Sequence, residues 1–203
     1  MTAFDDALAA LLEDEGGRVQ NPRDPGGRTD MGVTQRTFDA WQGAHKLPRR
    51  DVWTITRAEA AAIYRNAYFD PVRFDALPAG VGYCVADEAA NSGPHQAAVD
   101  LQRALGVTAD GAIGALTLAA AAKADPAALI GKLCDARLGF MRRLKTWAMF
   151  GRGWSNRVAK VRGRALAMAA GTHAGSALVQ PAEISDKLAA CTCPGCPLAA
   201  KAA

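Results

Sequence analysis

The sequence of 203 residues has few of the side chains that usually serve as metal ligands or activated nucleophiles. It holds three histidines, and none of them forms an H-E-x-x-H pair, which argues against a zinc peptidase or amidase. It has no G-x-S-x-G nucleophile elbow and no glycine-rich phosphate loop after a strand, which argues against serine hydrolases and nucleotide-dependent enzymes. We therefore expect no metal, no cofactor and no nucleotide.

Long apolar runs and paired cysteines are missing as well. No run reaches the ~18 residues that a membrane-spanning helix requires, and no signal peptide is visible at the N-terminus. Cys84 and Cys134 lie inside apolar helical patterns, where we expect small core residues rather than half-cystines. Cys191, Cys193 and Cys196 lack the fourth ligand of a structural zinc site, so their role in the tail stays open, with a dispensable tail as our expectation.

Acidic residues are almost missing from one segment, Lys132 to Leu166. It holds ten Lys/Arg against Asp135 alone, so its net charge is +9, whereas the rest of the chain carries −5. Such a surface is typical of proteins that bind an anionic partner, and a solvated helix face is the alternative interpretation. Nucleic-acid binding is not favoured, because the segment matches no known docking motif.

Apolar periodicity predicts a mainly α fold of about eight helices. One small β-hairpin is expected near residues 18–33, where glycine and proline supply turn signals. Thr56 and Glu59 form a capping box for the third helix, and Asp125 is expected to cap the helix that Pro126 opens. Gly151–Gly153 is expected to interrupt a long helix that begins at Pro126. From Gly171 the helical pattern gives way to Gly, Ser, Thr, Ala and Pro, and we expect a disordered tail over residues 171–203.

Glu15 ends the first predicted helix, residues 3–15, at an unusual place. It lies seven residues after Leu8 and four after Leu11, so it continues the apolar stripe of the helix. The three consecutive acids that end this helix oppose its macrodipole and one another. Burial, the helix end and the like charges should together raise the pKa of Glu15, as a general acid requires.

Glycoside hydrolysis usually needs one protonated carboxylic acid and a second group that acts as base or nucleophile. Glu15 fits the acid, and Asp24 in the following Gly/Pro loop fits the second group. Thr29 could position a water molecule, and Asp30 is an alternative base, so the third member stays open between these two. The alternative interpretation makes Glu15 a surface residue before a glycine cap and Asp24 a turn former.

Several motifs carry a resemblance to a known family: Glu15-Gly-Gly, Asp24-Pro-Gly-Gly-x-Thr29, Gly32-Val-Thr34, Tyr64-Arg65, Tyr68-Phe69-Asp70-Pro71 and Asn91-Ser92-Gly93. They resemble glycoside hydrolase family 108, the muramidases common among phage and prophage endolysins. Leu101 to Thr117 is similar to the predicted peptidoglycan-binding region that usually follows. The Glu15–Asp24 spacing matches that of well-known phage lysozymes, but Thr29 comes one residue early and Asp30 holds the expected place.

The resemblance implies an α+β lysozyme-like fold with a catalytic lobe at residues 1–92 and a helical peptidoglycan-binding lobe at 93–170 packed on it. It implies an endolysin that hydrolyses the β-1,4 bond between N-acetylmuramic acid and N-acetylglucosamine. Glu15 is then the general acid and Asp24 the base or water-positioning group. The substrate-binding residues that it implies are Gly27, Gly32, Tyr64, Tyr68 and Asn91.

Two other functions stay open: a lytic transglycosylase that uses Glu15 alone, and a non-catalytic cell-wall-binding protein. We expect a monomer that binds bacterial peptidoglycan, with the basic helices 132–166 facing an anionic envelope surface. The missing signal peptide fits an enzyme made in the host cytoplasm. Such an enzyme would reach the periplasmic wall after a separate membrane-permeabilising protein releases it.

Overall fold

A computed structural model describes residues 2–15, 18–20 and 28–171, without the side chains of Asp14, Glu15, Val19 and Gln20. All of these residues belong to one compact unit. The predictions for Asp24, Gly27 and the tail with its three cysteines lie outside the described residues. No helix in the described ranges is long and apolar enough to cross a membrane.

Eight α-helices and a small antiparallel sheet make up the described part of the chain, which confirms the mainly α prediction. The helices are α1 Ala3–Glu15, α2 Gln35–Ala44, α3 Arg57–Tyr64, α4 Val81–Ser92, α5 Pro94–Leu105, α6 Ala115–Lys123, α7 Pro126–Arg142 and α8 Trp147–Ala169. The strands are β1 Val19–Gln20, β2 Arg28–Asp30 and β3 Val33–Thr34. Short 3-10 turns occupy Val52–Thr54 and Phe74–Ala76, and α3 continues into a π-helical turn at Arg65–Phe69.

The sheet contains one strand more than the single hairpin that we predicted. In β2, Thr29 lies opposite both Val19 of β1 and Thr34 of β3. Met31 and Gly32 connect β2 to β3 with φ values of 48° and 71°, so both adopt the left-handed conformation. Two such residues in a two-residue loop are typical of a type I′ turn, whose twist matches that of the paired strands.

Helix α4 forms the centre of the hydrophobic core. Every residue from Val81 to Ala89 is buried, and α5, α7 and α8 all pack against this helix. At its start, Gly80 has a φ of 78° and approaches α8 so closely that a Cβ would lie 2.1 Å from the carbonyl oxygen of Ala165. Cys84 and Cys134 are free and buried, as predicted, with their sulfur atoms 3.7 Å apart.

A buried carboxylate on α4 ties three helices together. Asp87 is fully buried and accepts hydrogen bonds from Arg137 of α7 at 2.6 Å and from Arg157 of α8 at 2.9 Å. Since removing one partner from a buried pair leaves an uncompensated charge, we expect these contacts to matter strongly for stability. Arg137 and Arg157, two cations of the segment from Lys132 to Leu166, therefore stabilise the fold.

The predicted helix caps are confirmed. The Thr56 hydroxyl accepts a hydrogen bond from the Glu59 backbone, and the Glu59 carboxylate accepts one from the Thr56 backbone at 2.9 Å. Asp125 accepts a 2.7 Å hydrogen bond from the backbone of Ala128, directly before Pro126 opens α7. Both arrangements satisfy amide groups that have no partner inside the helix.

The prediction that Gly151–Gly153 interrupts a helix is wrong. Helix α7 ends at Arg142, the chain turns over residues 143–146, and α8 continues through both glycines. A Cβ on Gly151 would lie 2.7 Å from the ring of Trp147. Glycine at this position therefore permits an aromatic ring to pack closely against the helix, and does not end it.

Candidate active site

Glu15 is the last residue of α1, as predicted. Its backbone belongs to the described part of the chain, and its side chain does not. The helix that leads to it is firmly packed, since Ala7 and Leu11 are fully buried and Leu8 nearly so. At the other end of the helix, the backbone of Thr2 donates a 2.8 Å hydrogen bond to the Asp5 carboxylate. The position of Glu15 thus follows from a well-anchored helix.

Helix α8 also holds the last turns of α1. Arg164 donates a 2.8 Å hydrogen bond to the carbonyl oxygen of Ala10 and pairs with the Glu13 carboxylate. Burial opposes the charge, but hydrogen bonds with Tyr83 and Glu13 raise the pKa of Arg164 above its ordinary value. A cation near a helix C-terminus also complements the helix dipole. Sequence reasoning missed this contact, which joins opposite ends of the described chain.

The strand β2 places the two candidates for the third site residue on opposite faces of the sheet, because successive strand residues alternate. Asp30 is nearly buried, accepts a 3.1 Å hydrogen bond from Arg18 and lies opposite the buried Val33. Thr29 is half-buried and lies opposite Thr34. The structure therefore engages the Asp30 carboxylate in an ion pair and directs Thr29 to the other face.

Two arginines flank the stretch that contains Asp24, and both contact Trp53. Arg18 donates a 2.9 Å hydrogen bond to the Trp53 carbonyl oxygen. The guanidinium carbon of Arg28 lies 4.6 Å from the centroid of the Trp53 ring, and Arg28 also pairs with Asp51. These cation–π and ionic contacts fix the chain on both sides of that stretch. In the sequence, these contacts are indicated only by the positions of Arg18 and Arg28 on either side of that stretch.

The described candidates for substrate contact differ in exposure, from the buried Tyr64 to the exposed Asn91. Tyr64 is 3% exposed and mainly packs in the core, with its ring centroid 5.5 Å from that of the half-buried Tyr68. Tyr68 lies in the π-helical turn, a conformation that is frequent at functional sites. Asn91 is exposed, but its amide donates a 2.8 Å hydrogen bond to the Asp87 carbonyl oxygen. Gly32 lies in the turn after Thr29, so these two candidates are close neighbours.

A buried glutamine organises the second half of the chain. The Gln102 side chain donates to the Asp110 carboxylate at 2.7 Å and accepts from the Gly111 backbone at 2.8 Å. Gly111 has a φ of 78°, and a Cβ on it would lie 2.3 Å from His95 Nε2. These contacts explain why an Asp-Gly pair follows α5 at this spacing. Within the described ranges, no group of three or more His, Cys, Asp or Glu side chains could hold a metal ion.

Comparisons with known proteins agree with this architecture. The family model described as "Glycosyl hydrolase 108" matches residues 8–93, and the model described as "Predicted Peptidoglycan domain" matches residues 96–159. The solved structure titled "Structure of Brucella abortus SagA" is similar, with a TM-score of 0.71 and 46% sequence identity. The match covers 82% of this chain and 95% of that chain. A comparison with curated proteins found no significant match.

These matches first define the class of protein, a glycoside hydrolase that degrades peptidoglycan. More narrowly, the chain belongs to the glycosyl hydrolase 108 family, as the motifs around Glu15 indicated. The two matched regions meet near Gly93, between α4 and α5, and their buried residues form one hydrophobic core.

Proposed function

We propose that this protein is a muramidase of the endolysin type, which hydrolyses the β-1,4 bond between N-acetylmuramic acid and N-acetylglucosamine. The observation that carries the proposal is that Glu15 ends a helix that the core and Arg164 anchor, within the part that matches the glycosyl hydrolase 108 model. A fixed helix end is a suitable place for a catalytic acid, because proton transfer depends on hydrogen-bond geometry.

In this proposal Glu15 is the general acid that protonates the oxygen of the leaving sugar. Asp24 acts as the base or positions the attacking water, as in hydrolysis by two carboxyl groups. Thr29 is the third member of the site. Its selection over Asp30 rests on the ion pair with Arg18, which engages the Asp30 carboxylate, whereas Thr29 lies on the opposite face of the sheet.

Product analysis tests the bond and the reaction type together. Purified peptidoglycan is digested with the wild-type protein, and the soluble muropeptides are identified by mass spectrometry before and after borohydride reduction. The proposal predicts reducing N-acetylmuramic acid ends. Ends in 1,6-anhydro form would instead identify a lytic transglycosylase, particularly if Asp24→Ala kept its activity. Binding to the wall without soluble products would identify a non-catalytic wall-binding protein.

We also propose that the basic helices 132–166 contact an anionic envelope surface. Six cations of this segment are exposed: Lys132, Arg142, Arg143, Lys145, Arg152 and Lys160. Near the turn between α7 and α8, large apolar side chains are exposed beside them: Phe140, Leu144, Met149 and Phe150. Cations interleaved with exposed apolar groups are typical of protein surfaces that lie on anionic lipid. Arg162 and Arg164 pair with Asp135 and Glu13 and are less suited to this role.

Binding to lipid vesicles tests this second proposal. The double variant Arg142→Gln/Lys145→Gln should bind phosphatidylglycerol-containing vesicles more weakly, by about 1 kcal/mol per cation, and with a smaller dependence on salt. The variant Arg36→Gln/Arg57→Gln is the matched control, since it removes the same charge from exposed positions of α2 and α3. Equal affinities for the two variants would contradict a specific surface, as would equal binding to phosphatidylcholine vesicles.

A further inference from the structure

A groove between α5 and α7 lies inside the region that matches the predicted peptidoglycan domain. Its main cleft has a volume of about 560 Å³, within the range of small-molecule sites. A second cleft of about 330 Å³ adjoins it, and the walls of both include Ala104 and Lys132. Every residue that lines either cleft lies between Gln96 and Arg143, within the matched residues 96–159.

Cations outnumber acids along this groove. The four basic residues that line it are Arg103, Lys123, Lys132 and Arg143. Of the two acids, Asp125 caps the start of α7 with its carboxylate. Asp100 accepts hydrogen bonds from Gln96 at 2.8 Å and from Arg103 at 3.5 Å. Both carboxylates therefore have partners in the protein, and the groove retains a positive character.

A buried carboxyl group behind the groove adds little negative charge at neutral pH. Glu88 of α4 is 3% exposed, and burial raises its pKa to about 8, with Asp100 and Asp87 adding to the rise and Arg137 opposing it. Glu88 is therefore mostly protonated at pH 7 and shares a hydrogen bond with Asp100. This contact holds the Asp100 side chain in the wall of the groove.

The remaining walls offer small apolar surfaces. Ala104 and Ala136 line the main cleft together with Phe140, whose side chain is 44% exposed. The guanidinium carbon of Arg143 lies 6.0 Å from the centroid of the Phe140 ring, so one end of the groove combines a cation with an aromatic face. Methyl groups fit such a surface, whereas a single aromatic ring provides little stacking area for several sugar rings.

We propose that this groove binds the peptide stem of peptidoglycan. A stem alternates alanine with residues that carry free carboxylates, so its charges suit Lys132, Arg143 and Arg103 and its methyl groups suit the alanines of the wall. Where a stem is attached, the lactyl carboxylate of N-acetylmuramic acid is bound as an amide, so the glycan strand itself carries no charge that would require four cations. This binding site extends the proposed function, and it depends on that function only because it takes peptidoglycan as the substrate.

Direct binding tests the groove without any need for catalysis. Isotope-labelled full-length protein is titrated with a purified stem tetrapeptide and followed by NMR, in the wild type and in Lys132→Glu/Arg143→Glu. Both side chains are exposed, so the fold should persist, and the thermal transition checks this. We expect at least a tenfold loss of affinity in this variant. The matched control Arg36→Glu/Arg57→Glu, with the same change in charge, should bind within about twofold of the wild type.

Three results would overturn the inference. They are a lack of saturable binding by the wild type, an equal loss in the control variant, and tighter groove-dependent binding of duplex DNA or of peptide-free glycan. A second measurement separates it from the proposed function. The groove variant should degrade intact sacculi several-fold more slowly than the Arg36→Glu/Arg57→Glu control does. If the wild type releases no products but the tetrapeptide still binds, the muramidase proposal fails and the groove proposal stands.

Discussion

Arg164 of α8 donates a 2.8 Å hydrogen bond to the carbonyl oxygen of Ala10, in the helix that ends at Glu15. The same guanidinium pairs with Glu13 in the last turn of that helix. Arg164 lies beyond residue 159, where the match to the peptidoglycan domain ends. Helix α8, the last helix of the described chain, therefore stabilises the position of α1, the helix that carries the proposed acid.

Arg164→Met should lower both stability and activity, because it removes charge-assisted hydrogen bonds of roughly 1.5–3 kcal/mol and loosens the end of α1. The control is Arg162→Met on the same helix, which removes the pair with Asp135 and leaves the contacts of Arg164 with Ala10 and Glu13 in place. Initial rates on peptidoglycan are measured well below both melting temperatures. Only Arg164→Met should show a reduced kcat, and Arg164→Lys should recover part of it. Equal rates for the two methionine variants would show that Arg164 has a purely structural role.

Thr29 and Asp30 should respond differently to substitution. Thr29→Ala should reduce the hydrolysis rate by roughly 10²-fold, as expected for loss of a positioned group, and Thr29→Ser should restore much of it. Asp30→Asn should mainly lower the melting temperature, because it weakens the ion pair with Arg18. The opposite pattern, with full activity in Thr29→Ala and loss of activity without loss of stability in Asp30→Asn, would assign the third position to Asp30.

Glu88 should make the stability of the protein depend on pH. Burial raises its folded-state pKa to about 8, from an ordinary value of 4.5. The folded state therefore binds more protons than the unfolded state between these values, and the free energy of unfolding should fall as pH rises from about 5 to 8. Denaturant unfolding of the wild type and of Glu88→Gln measures this. The variant should lose that part of the slope, and identical slopes would contradict an elevated pKa of Glu88.

Local sequence signals predicted the local features of this fold. The helix caps at Thr56 and Asp125 depend on residues within a few positions of one another, so they can be predicted from the sequence. The end of α1 at Glu15 was predicted for the same reason. A family motif then located the candidate site around that helix end.

Contacts between distant residues could not be predicted in this way. Asp87 lies 50 residues from Arg137 and 70 from Arg157, and no local pattern pairs them. The sequence alone therefore indicated that the segment from Lys132 to Leu166 forms one basic surface for an anionic partner. In the structure, several of its arginines form ion pairs with carboxylates of the protein itself. Gly151 was misinterpreted for a related reason, since the ring of Trp147 that it accommodates is defined only by the packed helix.

The most direct test of the central claim is the rate at which Glu15→Gln releases soluble muropeptides from purified peptidoglycan. Asp14→Asn, which removes the neighbouring carboxylate, is the matched control, and the thermal transitions of both variants establish that they fold. We predict a loss of at least about 100-fold for Glu15→Gln, since a general acid contributes roughly 10²–10⁴-fold, and a near wild-type rate for Asp14→Asn. A folded Glu15→Gln that retains a rate within a few-fold of the wild type would contradict the assignment of Glu15 as the catalytic acid.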